Sequence, residues 1–254
     1  MSPDSSPLTR FWQGILDLVF PPHCVGCQRP GVWFCDACLL KVQPLSPPTC
    51  RLCDDPRLPG EGGDLCRACL RAPLRIDGIR SVSLHQGTLR HAVHNLKYRR
   101  QRDLAAPLGR LLRDYLLAHS LPADILVPVP LHPSRLRQRG FNQSVLLAGA
   151  VATESLPVVD GCLQRVRSTQ AQMTLGREAR RRNVAGAFAC QDERMRGRRV
   201  LLIDDVCTTG ATLEACAIGL RQGGAVSVWA LTLTREPQSL VAVVRQRAEG
   251  SPGG

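Results

Sequence analysis

Eight of the twelve cysteines stand in four CxxC pairs, Cys24/Cys27, Cys35/Cys38, Cys50/Cys53 and Cys66/Cys69, all within the first 70 residues. At this spacing a tight turn aims two thiolates at one tetrahedral ion, with zinc–sulfur distances of about 2.3 Å. Four pairs therefore predict two structural Zn2+ sites of four thiolates each, with no position left open for catalysis. CVGCQRPGVWFCDACL and CRLCDDPRLPGEGGDLCRACL read as a repeat, since each opens on CxxC and closes on CxACL. Sequential ribbons would close Cys24, Cys27, Cys35 and Cys38 on one ion and Cys50, Cys53, Cys66 and Cys69 on the other; a cross-braced pairing is the alternative. A segment this small cannot hold a core unaided, so the metals supply its folding energy. A disulfide framework would need an oxidising compartment, and no export signal is read in the chain.

The second chemical group lies in VLLIDDVCTTGAT, residues 200–212. An apolar run ends in two adjacent acids and passes into a small-residue turn. Backbone N–H groups of such a turn, with the positive end of a following helix, form a phosphate cradle, and Thr hydroxyls add donors. Gly210 permits close backbone approach. The acids would repel phosphate, so they suit a ribose diol or a metal shared with a diphosphate. Phosphate on one side and hydroxyl acceptors on the other describe a ribose 5-phosphate.

This segment resembles the 5-phosphoribosyl-1-pyrophosphate (PRPP) loop of type I phosphoribosyltransferases. The resemblance implies that Asp204 and Asp205 take the ribose hydroxyls and that Thr208, Thr209, Gly210, Ala211 and Thr212 take the 5-phosphate, with Mg2+ accompanying PRPP. Cys207 departs from the pattern, where an aliphatic residue is commoner, and is expected to pack. VPVPLHPSRLRQRGFNQS (127–144) and RVRSTQAQMTLGREARRRNVAGAF (165–188) correspond by resemblance to the pyrophosphate loop and the mobile hood loop. Arg135, Arg139 and Lys97 are then candidates for the diphosphate, and Arg165, Thr169 and Gln172 for the hood. Together with a double zinc ribbon, these stretches resemble the ComF competence family, associated with uptake of single-stranded DNA. That family implies PRPP, single-stranded DNA and the DNA-uptake or helicase machinery as partners. The alternative is a non-catalytic single-stranded DNA-binding or adaptor protein with a vestigial or regulatory PRPP site. The histidines show no metal-ligand spacing, and no nucleobase pocket is legible.

The elements that must hold these groups follow from periodicity. GIRSVSLH, ADILVPVP, RRVLLIDD and AVSVWALTLT read as strands, separated by the helical patterns TLRHAVHNLKY, DLAAPLGRLLRDYLLAHS, NQSVLLAGAVATE and TGATLEACAIGLRQGG. Such alternation predicts a parallel sheet with ligands beyond its carboxyl edge. The expected fold is an α/β, type I phosphoribosyltransferase-like parallel sheet flanked by helices, with a small N-terminal double zinc-ribbon domain. The expected divisions are a short N-terminal helix within 1–20, the double ribbon over 21–72, the phosphoribosyltransferase-like domain over 76–245 and a disordered tail over 246–254.

The net charge is +12, and 31 of the 33 basic residues are Arg, which favours anionic partners. Only 4% of residues are aromatic, which leaves Trp12, Trp33 and Phe141 as the candidate stacking platforms for a nucleic acid. No stretch approaches the roughly 20 apolar residues that span a bilayer. A cytoplasmic protein is expected, with contact at the inner membrane face through the N-terminal helix as a further option.

Overall fold

The structure is a computed structural model and describes residues 21–57, 60, 62–98, 101–167 and 177–238. The expected N-terminal helix, the tail, and the hood candidates Thr169 and Gln172 lie outside the described residues.

The elements run in chain order as α1 (Asp36–Leu39), α2 (Arg67–Arg71), β1 (Gly78–Leu84), α3 (Gly87–Tyr98), α4 (Ala105–Ala118), β2 (Ile125–Pro128), α5 (Pro133–Arg139), α6 (Gln143–Val151), β3 (Leu163–Arg165), α7 (Arg177–Val184), β4 (Phe188–Cys190), β5 (Arg199–Cys207), α8 (Ala211–Gln222) and β6 (Ser227–Arg235). A four-stranded sheet has the order β1-β6-β5-β2, and every pairing in it is parallel. β3 and β4 form a separate antiparallel pair.

Val200, Leu201, Leu202 and Ile203 are all fully buried, as expected for a parallel strand covered on both faces. Leu201 and Ile203 pack with Leu89, Val93 and Leu96 of α3, Leu108 and Leu112 of α4 and Leu147 of α6. Val200 and Leu202 pack with Leu213, Ala217 and Leu220 of α8 and with Leu163 and Phe188 of the small pair. A Cβ on Gly109 would meet the Ala150 Cβ at 2.3 Å, so a missing side chain permits the close crossing of α4 and α6.

β1 is an edge strand, and the cysteine-rich segment covers it. Leu45 N donates to Val82 O at 2.9 Å and Ile79 N to Leu52 O at 2.9 Å. The buried Asp54 carboxylate takes Ser81 N at 2.8 Å. Backbone groups that would otherwise offer an open template for another chain are thereby satisfied.

Two stretches read as loops contain helix. Residues 133–139 form α5 because Pro133 stands at its first turn, His132 Nδ1 accepts from Ser134 N at 3.2 Å, and Gly140 ends it at φ 79°. Within the Arg-rich segment, Arg177–Val184 is helical although it has almost no apolar face; Val184 alone among its residues is buried.

Candidate functional site

At the first cysteine cluster the Sγ atoms of Cys24, Cys27, Cys35 and Cys38 lie within 4.8 Å of one another, and those of Cys50, Cys53, Cys66 and Cys69 do the same at the second. Sulfur–sulfur separations of 3.6 Å (Cys24–Cys35, Cys27–Cys35) and 3.7 Å (Cys53–Cys66) match the edge of about 3.8 Å that a zinc–sulfur tetrahedron requires. The residues therefore fit zinc, and the pairing is sequential rather than cross-braced. In each cluster the third cysteine, Cys35 or Cys66, is the N-cap of the short helix that carries the fourth.

The other site forms at the carboxyl edge of the sheet. β5 delivers Asp204 and Asp205, and α8 begins immediately after the turn that follows them. Gly210 is the N-cap of α8 at φ +81°, and an added Cβ would strike Leu74 Cδ1 at 2.9 Å and Ile79 Cδ1 at 3.0 Å. The turn is thus pinned from beneath by apolar side chains. Among the described residues, the amides of Thr208, Thr209, Gly210 and Thr212 meet no protein acceptor, and Ala211 N has only a long contact of 3.4 Å to Thr209 Oγ1. Glu214 N is the first to close a helical bond, to Gly210 O at 2.9 Å. The cradle is free to receive an anion.

Asp204 is half-buried in dense surroundings, and its Oδ1 accepts from Ser144 Oγ and from Asp205 N, each at 2.9 Å. Burial, and then the neighbouring Asp205 carboxylate, push the Asp204 pKa up to about 7, with Lys97 opposing the rise. Asp205 is buried; its Oδ2 lies 2.9 Å from Lys97 Nζ but receives no aligned hydrogen bond. A paired but under-satisfied carboxylate beside a second one is the oxygen-rich, anionic setting that fits Mg2+ or a hydroxyl donor.

Of the basic candidates, Lys97 is brought directly onto the acid pair. Arg139 is half-buried, bonded to Gln143 Oε1 and stacked over Tyr98 at 5.5 Å, and burial lowers its pKa. Arg165 is half-buried over the Phe188 ring at 5.4 Å and within electrostatic reach of Asp204 and Arg135. Arg135 lies on the exposed face of α5, with its charge felt by both Arg139 and Arg165. Two residues not singled out from sequence complete the setting. Ser144 is fixed by Asn142, whose Oδ1 caps α6 by accepting Ser144 N at 3.0 Å, so NQS was the available signal. His85, at the end of β1, holds Thr234 Oγ1 at 2.9 Å, and burial, then Lys97, lower its pKa.

Comparison with known proteins matches both parts of the chain. The double zinc ribbon domain matches residues 15–70, and the phosphoribosyl transferase domain matches residues 135–246. The DNA utilization protein YhgH of Salmonella typhi is 36% identical over 230 residues, covering 85% of this chain and 99% of that protein. Competence protein F of Haemophilus influenzae is 32% identical over 176 residues, covering 65% and 77%. The chain belongs to the ComF family. Competence protein ComFC of Bacillus subtilis is 27% identical over 218 residues, covering 82% of this chain and 86% of its own length. In this ComF-family chain the parallel sheet extends beyond the matched transferase region, because β1 at Gly78–Leu84 pairs with β6. Among the described residues, no helix is long and apolar enough to cross a membrane.

Proposed function

We propose that the chain binds PRPP with Mg2+ at the carboxyl edge of β5 and acts in DNA uptake. The observation that carries the reading is the juxtaposition of the free amides of Thr208, Thr209, Gly210 and Thr212 with the Asp204/Asp205 pair and its surrounding cations. In this reading the amides and hydroxyls of Thr208, Thr209, Gly210, Ala211 and Thr212 hold the 5-phosphate. Asp204 and Asp205 accept from the ribose hydroxyls, with Ser144 fixing the first carboxylate. Lys97, Arg139 and Arg135 offset diphosphate charge, and Arg165 with Thr169 and Gln172 covers the ligand. Mg2+, when bound, would neutralise the diphosphate as a leaving group. Transfer would break the C1–O bond to diphosphate and form a C1–N bond to a nitrogen acceptor, with the protein supplying position and charge. We assign the ribbon to 21–72, the ligand-binding domain to 76–245 and the chain to a reducing, cytoplasmic setting, where thiolates stay available to zinc.

A second reading, a single-stranded DNA-binding or adaptor protein with a regulatory PRPP site, is supported by the +12 charge and by relatives named for DNA utilization and competence. One experiment separates them. PRPP and Mg2+ should raise the melting temperature of the wild-type chain, and Asp204→Asn with Asp205→Asn should remove the rise while zinc stays at about two per chain, the two four-thiolate sites expected. Pyrophosphate release with a panel of bases and oligonucleotides then identifies a transferase. A PRPP response unchanged by the double substitution would remove the ribose assignment.

A further inference from the structure

The two thiolate clusters differ in a respect that neither the sheet nor the proposed ligand site demands. Two guanidinium groups from distant parts of the chain touch sulfur at the second cluster: Arg235 Nη2 lies 3.7 Å from Cys53 Sγ, and Arg177 Nη2 lies 3.3 Å from Cys69 Sγ. Among the described residues, no cationic side chain touches sulfur at the first cluster.

Arg235 is 0% exposed, and a guanidinium cannot escape burial by losing its proton. It persists there only with anionic partners. Asp55 Oδ1 is one, at 3.3 Å from both Nε and Nη2, and the net negative charge of a four-thiolate zinc centre is the other. The remaining nitrogen, Nη1, donates to Cys207 Sγ at 2.7 Å. Cys207 is the last residue of β5 and directly precedes Thr208. One side chain thus spans the second metal cluster and the threshold of the turn. Packing repeats the link, since Leu74, which follows the second ribbon, abuts Gly210.

We propose that Arg235 is a shared outer partner of the second zinc centre and the Cys207–Thr212 turn, holding Cys53 on its metal and transmitting loss of that metal to the turn. Calling the turn a phosphate cradle rests on the function proposed above; the link itself does not. The physical cause is position. With the metal bound, Cys53 Sγ is held against the guanidinium; when the metal leaves, that fixed partner is lost and no water replaces it around a fully buried side chain, so Arg235 must shift and release Cys207.

The test uses the full-length, zinc-loaded chain with Arg235→Met and Arg235→Lys variants, mixed with a zinc-binding dye and checked for folding by circular dichroism. Wild type should release zinc in two phases, the faster from the cluster with the exposed Cys27. Arg235→Met should accelerate only the slower phase, on the order of tenfold or more, as removal of an outer-shell partner does. Arg235→Lys should restore much of the difference. A slow phase unchanged in a folded Arg235→Met chain overturns the proposal. Should that variant fail to fold, hydrogen exchange on wild type decides. Exchange across 206–212 should speed up when the slow zinc is stripped and not when only the fast one is lost; no change at either step overturns the link. Neither readout uses PRPP, so failure of the ligand assignment would be seen separately, in the thermal-shift experiment.

Discussion

The two ribbons share a motif and differ in their surroundings. At the first, Cys27 is exposed and the cluster packs through Val25 and Phe34 against the α3 and α4 side of the sheet. At the second, all four cysteines are buried, Asp54 and Asp55 are buried with them, and two arginines reach the sulfurs. Both centres join the α/β core, but the first leaves one ligand open to solvent while the second is wholly enclosed and has cationic partners. Cysteine spacing sets the metal geometry, and the neighbours set what the metal supports.

The largest expected effect breaks the comparison outright. Cys53→Ser should lower the melting temperature by about 10 °C or more, because several kcal/mol of metal binding and a buried charge network are lost together. Cys27→Ser should cost less than half of that, and calorimetry of the two variants measures the ratio. Equal losses would mean that burial around the second centre contributes nothing. Gly210→Ala should cost about 1–3 kcal/mol, since it places a Cβ at positive φ against Leu74 and Ile79. Denaturant titration reads this cost, and a companion Leu74→Ala should relieve part of it if the second ribbon's flank is what presses on the turn. The smallest effect belongs to the first ribbon's rim. Arg110 pairs with Asp36 at 3.1 Å on open surface, and Arg110→Ala should leave the melting temperature unchanged within error.

What could be read from sequence follows the range of the interactions. The acid pair, the turn and α8 are contiguous, so VLLIDDVCTTGAT exposed them together. The sequential pairing of cysteines was legible because the repeat is local. α5 escaped notice although Pro133 and Gly140 bracket it, because three arginines and a short length resemble a loop. The contacts of Arg235 join residues about 180 positions apart, and no local pattern encodes them. Cys207 packs in the core as expected, and its sulfur also accepts from a buried guanidinium, which an aliphatic side chain could not do.

The Lys97–Asp205 pair has one more consequence. At rest the sheet edge already carries its own counter-ion. A bare divalent cation arriving there would compete with the ammonium for the carboxylate, and a bare anion would have to draw that ammonium from a buried carboxylate it would leave unpaired. A visitor bringing both charges at once would offer each resident a new companion, so on the function proposed above the edge would answer to coincidence rather than to either ion alone.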